Sequence, residues 1–258
     1  MEMCCRTGIY DIGRWPSYKG LGDRAIPWRY GLPERIVISI DGPGGSGKST
    51  IARRLAQRLS FSFLDSGAIY RAATWYALNQ DIPLEFEAEL LQALDDFCLR
   101  LEESPEGMRV FVNLNEITRE IRQRDVSNNI FHLANNEKVR ERLVAIQRDY
   151  AEGKCIVTEG RDMGTVVFPD ADLKFFLIAG LDVRAQRRKL ELDEAGETVD
   201  LDTLKNEIRK RDERDETRAV APLRKPDDAL VVDSSSLSTD EVLERMIQEI
   251  RARNLVNG

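Results

Sequence analysis

Residues 36–59 read IVISIDGPGGSGKSTIARRLAQRL. The run Ile36-Val37-Ile38-Ser39-Ile40 is short, apolar and β-branched, as a strand buried in a parallel sheet should be. Gly42 to Ser49 fits G-x-x-x-x-G-K-[ST], the spacing of a phosphate-binding loop. Behind it Ile51, Ala52, Leu55, Ala56 and Leu59 recur at helical spacing, so a helix starts near Lys48. Strand, glycine loop and helix together aim backbone N–H groups and a helix N-terminus at a phosphate. The reading places Gly42, Pro43, Gly44, Gly45, Ser46, Gly47, Lys48, Ser49 and Thr50 around a nucleotide polyphosphate. Lys48 reaches the β- and γ-phosphates, and the Ser49 hydroxyl is a ligand for Mg²⁺.

The pattern continues outward as alternating strands and helices. Phe61-Ser62-Phe63-Leu64 predicts a second strand, running into a charged turn from Asp65 to Arg71, with a helix over 72–78. Residues 155–158, 173–178 and 229–233 are further apolar strands, and Val242, Met246 and Ile250 mark a closing helix capped near Ser238 or Thr239. A five-stranded parallel sheet with helices on both faces follows, with ligands at the carboxyl ends of the strands. Three short runs at 99–102, 109–112 and 116–118 break the alternation and predict a small antiparallel insert. Ile121 to Ala134 is a polar helix, and Val139, Leu143 and Ile146 stripe another. Residues 1–34 are punctuated by glycine and proline. They read as an irregular extension, or as a start placed too far upstream, with a docking role for their aromatics as the alternative.

The 258-residue chain carries a net charge of −7, which disfavours non-specific nucleic-acid binding while leaving room for a local basic pocket. Cys4, Cys5, Cys98 and Cys155 show neither metal-ligand nor disulfide spacing, and Cys155 reads as a core thiol. No apolar run is long enough to span a bilayer and no signal-peptide core precedes the first strand. The expected setting is the cytoplasm, with no membrane and no nucleic-acid partner.

Charge gathers where strands end: at Asp65 to Arg71, at Glu159-Gly160-Arg161-Asp162, and at Arg184, Arg187 and Arg188. A fourth cluster lies on a helix, where the apolar stripe Leu201, Leu204, Ile208 continues as Arg211, Asp215 and Arg218, with Arg214 beside it. Charges on an inward stripe need partners. Either they pair within the helix, Arg211 with Asp215 at i, i+4, or they await an anionic ligand. His132, the sole histidine, sits in a polar helix and is not expected to be catalytic. A phosphate acceptor is already largely ionised at neutral pH and needs no strong base, so positioning and fixed positive charge suffice for phosphoryl transfer. Arginine suits both tasks.

These segments together resemble the bacterial cytidylate kinases, a family of nucleoside monophosphate kinases. The matching stretches are IDGPGGSGKST (40–50), LDSGAIYRA (64–72), EGRDMGTVVFPDA (159–171), RDERDETRAVAPL (211–223) and DALVVDSSSLS (228–238). The resemblance implies a P-loop NTPase-type core over 35–255, with a monophosphate-binding insert around 65–150 and a lid around 187–200. It also implies ATP and Mg²⁺ as partners of CMP or dCMP, working as a monomer. Arg71 and Arg161 would hold the acceptor phosphate, with Lys48, Arg161, Arg187, Arg188 and Arg218 serving the transferring phosphoryl group. Asp65, Ser66 and Tyr70 would line the monophosphate site, Arg140 and Asp162 would meet the cytosine edge, and Arg211 and Asp215 the ribose and its phosphate. Two departures stand out. Glu159 replaces a frequent Asp, and Phe131 falls where the family often has a base-contacting Ser, which bears on cytosine against uracil. A kinase for UMP, AMP or shikimate is the nearest rival; the Tyr70-Arg71 and Arg161-Asp162 pairs favour the cytidylate branch. A non-catalytic nucleotide-binding module would want an N-K-x-D element, which the sequence lacks.

Overall fold

The computed structural model describes residues 35–104, 107–194 and 196–256. The expectations for residues 1–34 lie outside them. In chain order the elements are β1 (Val37–Asp41), α1 (Lys48–Leu59), β2 (Ser62–Asp65), α2 (Ser66–Asn79), α3 (Glu87–Asp95), β3 (Leu99–Ser104), β4 (Gly107–Val112) and β5 (Asn115–Glu116). They continue as α4 (Arg124–Ala134), α5 (Glu137–Ala151), β6 (Ile156–Gly160), β7 (Leu173–Ile178), α6 (Leu181–Glu194), α7 (Leu201–Thr217), β8 (Leu230–Asp233) and α8 (Thr239–Ala252). Two compact units result: residues 34–64 with 153–258, and residues 65–152. Among the described residues no helix is long and apolar enough to cross a membrane.

The first unit is the α/β core. Its five strands lie in the order β2-β6-β1-β7-β8. The ladders of β1 with β6 and β7, and of β7 with β8, are parallel, with Val37 opposite Ile156 and Ile38 opposite Leu173. All of β1 is buried, which is why its sequence shows a continuous apolar run rather than alternation. The order turns at β1: the chain leaves its carboxyl end with β6 on one side and β7 on the other, the place where such sheets bind ligands. α1 packs through Ile51, Ala52, Leu55, Ala56 and Leu59, as its spacing predicted. α8 opens with a full capping box between Ser238 and Glu241. α6 and α7 share a small apolar cluster of Ala185, Leu192 and Leu204, flanked by Val199, Leu201 and Ile208.

Two features fix the turn out of β1. Gly42 has φ +150°, and a side-chain carbon there would lie 2.1 Å from the Leu177 carbonyl oxygen of β7, so only glycine fits. Asp41 is fully buried and accepts from the backbone N–H groups of Met163 (2.9 Å) and Gly164 (2.7 Å). Those residues open a π-helical turn over Met163–Val167 that sequence periodicity did not suggest. Such turns recur at functional sites.

The second unit, residues 65–152, holds the antiparallel sheet β3-β4-β5, with Leu99 opposite Val112, and the helices α2 to α5. α2 begins at Ser66, six residues before the expected start. Asp65 caps it by accepting the Ala68 N–H at 2.8 Å. The expected helix over 121–134 is split into a short turn at Glu120–Arg122 and α4. Cys155 is only half-buried, ahead of β6, and is not the core thiol its apolar setting suggested.

Gly42→Ala tests the close approach of β1 to β7. The added methyl needs the β7 backbone to move and sits at a φ that L-residues rarely adopt. The expected outcome is a loss of roughly 3 kcal/mol or more in chemical denaturation, whereas Gly153→Ala, with nothing within 4 Å, loses only the strain of its φ of +65°.

Candidate active site

α1 starts at Gly47, φ +94°, with no side-chain cap, so its first-turn N–H groups stay open to an anion. Lys48 is buried and folds back over the loop, donating from Nζ to the Pro43 carbonyl at 2.7 Å and reaching Ser46 Oγ at 3.5 Å. The arginines of later segments converge on the same loop. A side-chain carbon at Gly44 would lie 3.5 Å from the Arg161 guanidinium and 3.7 Å from Arg211.

Burial pushes the Lys48 pKa down first, and the Arg161 and Arg211 guanidiniums push it further, to about 7, against the pull of Glu159 and Asp41. Burial raises Asp41 to about 6 despite its two backbone donors. Burial works against charge on Arg161, but Asp215 outweighs it with help from Glu159 and Asp212, so the guanidinium is held more firmly charged than usual. For Asp215 burial pulls upward, but Arg161 and Arg211 together hold the carboxyl below its ordinary range.

The charged face of α7 is satisfied in a way neither sequence reading foresaw. Asp215 reaches off the helix to Arg161 Nε at 2.8 Å. Arg218 stands 3.5 Å from Asp162, both almost fully buried, and its Nε donates to the Ala221 carbonyl at 2.6 Å. Asp212 takes Arg184 Nη1 at 2.6 Å. The partners lie on other segments of the same unit: Arg161 and Asp162 after β6, and Arg184 on α6.

The α6 arginines divide. Arg187 donates to the Ser46 carbonyl (3.2 Å), Ser234 Oγ (3.2 Å) and the Ser234 carbonyl (2.7 Å). Arg188 is exposed and pairs with Glu191 one turn along at 2.9 Å. Ser49 donates to Glu159 Oε1 at 2.8 Å, and Glu159 is buried. A hydroxyl and a carboxylate beside a phosphate loop form a hard-oxygen pair. They fit Mg²⁺, which takes few protein ligands and completes its shell with water and phosphate oxygens.

In the unit of residues 65–152 the expected acceptor residues fall into two groups. Asp65 both caps α2 and holds Arg71, Oδ2 accepting from Nη2 at 3.1 Å, while Arg71 Nε is buried and has no acceptor among the described residues. Ser66 lies in the first turn of α2 and is buried. Arg140 of α5 is buried and sits 5.5 Å from the Tyr70 ring centroid, close enough for a cation–π contact. Phe131 stands apart from the buried side of α4, which Val126 and Leu133 form, and its ring lies 3.9 Å from that of His132.

Sequence reasoning did not assign Asp41, Asp212 or Ser234, and it named Glu159 in a charged strand end without giving it a role. Asp212 carried a signal: it falls four residues after Ile208, on the same stripe as Asp215. Asp41 ends β1 and Glu159 is the penultimate residue of β6, at the switch in strand order. Ser234, buried after β8, gave no signal of its own.

A Lys48 that is half-neutral near pH 7 makes anion binding pH-dependent. A bound polyphosphate favours the charged amine and raises its pKa, so binding takes up a proton above the free value of about 7. ATP affinity is expected to fall from about pH 7 to about pH 9, approaching tenfold per unit, where the terminal phosphate is already ionised. Titration calorimetry in buffers of different ionisation enthalpy checks this, and Lys48→Met should flatten the dependence.

The comparisons with known proteins bear on what this geometry serves. The cytidylate kinase family model matches residues 38–252. The protein named cytidylate kinase from Anoxybacillus flavithermus is 43% identical over 222 residues, covering 86% of this chain and 99% of that one. Its namesake in an Exiguobacterium species is 45% identical over 224 residues, 86% of this chain and all of the other. That of Geobacillus kaustophilus is 45% identical over 222 residues, again 86% and 99%. The matched span takes in the phosphate loop, the arginines that converge on it and the whole 65–152 unit, and the chain belongs to the cytidylate kinase family.

Proposed function

We propose that the protein transfers the γ-phosphoryl group of ATP to the phosphate of CMP or dCMP, giving ADP with CDP or dCDP. The observation that carries this is the convergence of Lys48, Arg161 and Arg211 on one glycine loop, in a chain matched to the family over nearly its whole described length. The bond between the γ-phosphorus and the bridging oxygen breaks as an oxygen of the acceptor phosphate bonds to the same phosphorus in line. Such a reaction asks for charge and alignment rather than a base.

The sheet unit takes ATP: the open N–H groups of the loop and of α1 hold the phosphates, and Lys48 bridges the β- and γ-oxygens. Arg161 and Arg218 come to the transferring group already oriented by Asp215 and Asp162. Ser49 and Glu159 would hold Mg²⁺, which when bound neutralises charge on the phosphate oxygens. Ser66, Tyr70 and Arg71 take the acceptor monophosphate; the buried Arg71 Nε, which has no acceptor among the described residues, supports that role, since a phosphate oxygen would satisfy it. Arg140 and Asp162 read the base, and Arg211 and Asp215 the sugar. The protein acts as a monomer in the cytoplasm, on small nucleotides rather than nucleic acid.

A coupled ADP-release assay over CMP, dCMP, UMP, AMP and shikimate tests the reading. CMP and dCMP should give the highest kcat/KM, and Lys48→Ala should cut turnover by at least about a hundredfold with the circular-dichroism spectrum intact. A preference for AMP or shikimate, or full activity in a folded Lys48→Ala protein, would overturn it.

Phe131 bears on selectivity. A phenyl ring packs or stacks but offers no hydrogen bond to a base edge. The preference for CMP over UMP then rests on Arg140 and Asp162. Phe131→Ser should raise the CMP/UMP ratio of kcat/KM by roughly one hydrogen bond, about 1 kcal/mol. A lowered melting temperature with an unchanged ratio would instead assign Phe131 to packing.

A further inference from the structure

Arg184 lies three residues before Arg187 on α6, and the two address the phosphate loop from one helix face. Arg184 is almost fully buried. Its Nε donates to the Ala179 carbonyl at 2.9 Å, and its Nη1 donates both to the Gly44 carbonyl at 3.0 Å and to Asp212 Oδ2 at 2.6 Å. It stands so close that a side-chain carbon on Gly45 would lie 3.3 Å from Arg184 Cβ and 3.6 Å from its carbonyl oxygen. Arg187 donates to the Ser46 carbonyl at 3.2 Å, and the Ser234 hydroxyl reaches the same oxygen at 3.2 Å. Both arginines therefore meet loop carbonyls.

A trans peptide is planar, with its C=O and N–H pointing opposite ways. Holding the Gly44 carbonyl toward Arg184 turns the Gly45 N–H away from it. Holding the Ser46 carbonyl toward Arg187 and Ser234 does the same for the Gly47 N–H. Gly45 has φ +75° and Gly47 φ +94°, so each can take the turn that this alternation demands. Among the described residues neither N–H has a protein acceptor.

We infer that Arg184 and Arg187 are positioning residues that act from behind the loop, aiming the Gly45 and Gly47 N–H groups at the polyphosphate, with Asp212 of α7 holding Arg184 in place. The inference rests on the nucleotide reading of the loop. It gives Arg187 a task distinct from contact with the transferring phosphoryl group, and it gives Asp212 a part in ATP binding. Lysine cannot replace either arginine, because one ammonium on a flexible stem does not span the acceptors that each guanidinium joins.

The test uses the full chain and the variants Arg184→Lys, Arg187→Lys and Asp212→Asn. The readouts are ATP dissociation constants, KM for ATP and CMP, melting temperatures, and the ¹⁵N-amide signals of Gly45 and Gly47 on addition of ATP. Each lysine variant is expected to weaken ATP binding about tenfold or more, the loss of a charge-assisted hydrogen bond, with KM for CMP changed by less than about threefold. The Gly45 amide should lose its response to ATP in Arg184→Lys, and the Gly47 amide in Arg187→Lys. Asp212→Asn should weaken ATP binding less than Arg184→Lys while moving the same Gly45 signal. ATP affinity within about twofold of the parent, or equal losses for ATP and CMP alongside a lowered melting temperature, would overturn the inference while leaving the nucleotide reading intact. If the Gly45 and Gly47 amides of the unmodified protein ignore ATP and Lys48→Ala binds it normally, the nucleotide reading fails and takes the inference with it.

Discussion

Lys48, Arg161 and Arg211 are held close together by the fold, and like charges in a partly buried site repel strongly. The rest of the sheet unit is arranged around that cost. Asp41 and Glu159 pull against it at Lys48, and Asp215 against it at Arg161. Lys48 still gives up part of its charge. A site built this way favours binding of a polyanion over remaining ligand-free, because the ligand relieves repulsion that the fold only partly balances.

The same carboxylates also set geometry. Asp41 ends β1 at the phosphate loop and grips the first two residues of the π-helical turn that follows Asp162. The loop that holds Lys48 and the segment that presents Arg161 are thus tied at one buried point. Asp215 and Asp212, one turn apart on α7, each hold an arginine from a different segment, Arg161 after β6 and Arg184 on α6. α7 buries one apolar side chain fully, Leu204, with Leu201 and Ile208 packed beside it. It is placed at its inner end by the cluster it shares with α6, and further along by these ion pairs. Losing one partner of such a pair leaves a buried charge uncompensated, which is why these contacts fix position more than they add stability.

The unit of residues 65–152 repeats the logic on a smaller scale. One carboxylate, Asp65, caps α2 with one oxygen and orients Arg71 with the other. Arg140 is buried against the face of Tyr70. In both cases the cation is set in place by a neighbour on the protein, so less ordering remains to be done when a ligand arrives.

Much of this was legible in the sequence. The strand-loop-helix of residues 36–59 specified itself, because the glycine spacing, the β-branched run and the helical stripe are local patterns with local causes. The parallel sheet, the antiparallel insert, the α8 cap at Ser238 and the clustering of arginine at strand ends followed from the same periodicities. The start of α2 was missed because Asp65 acts through a side-chain cap that outweighs the poor helix propensity of Ser66-Gly67. The π-helical turn has no local signature; it exists because Asp41, more than a hundred residues earlier, accepts its N–H groups. Pairing on α7 was misjudged for a related reason. Within the protein, sequence offers only the i, i+4 neighbour as a partner, beside the anionic ligand it also allows, whereas Asp212, Asp215 and Arg218 find protein partners on segments brought near by the sheet order. Local patterns along the chain establish which residues carry charge and that a phosphate loop exists. Which carboxylate holds which cation is settled in three dimensions, because a salt bridge depends on distance in space, and that distance is set by the packing of segments far apart in the chain.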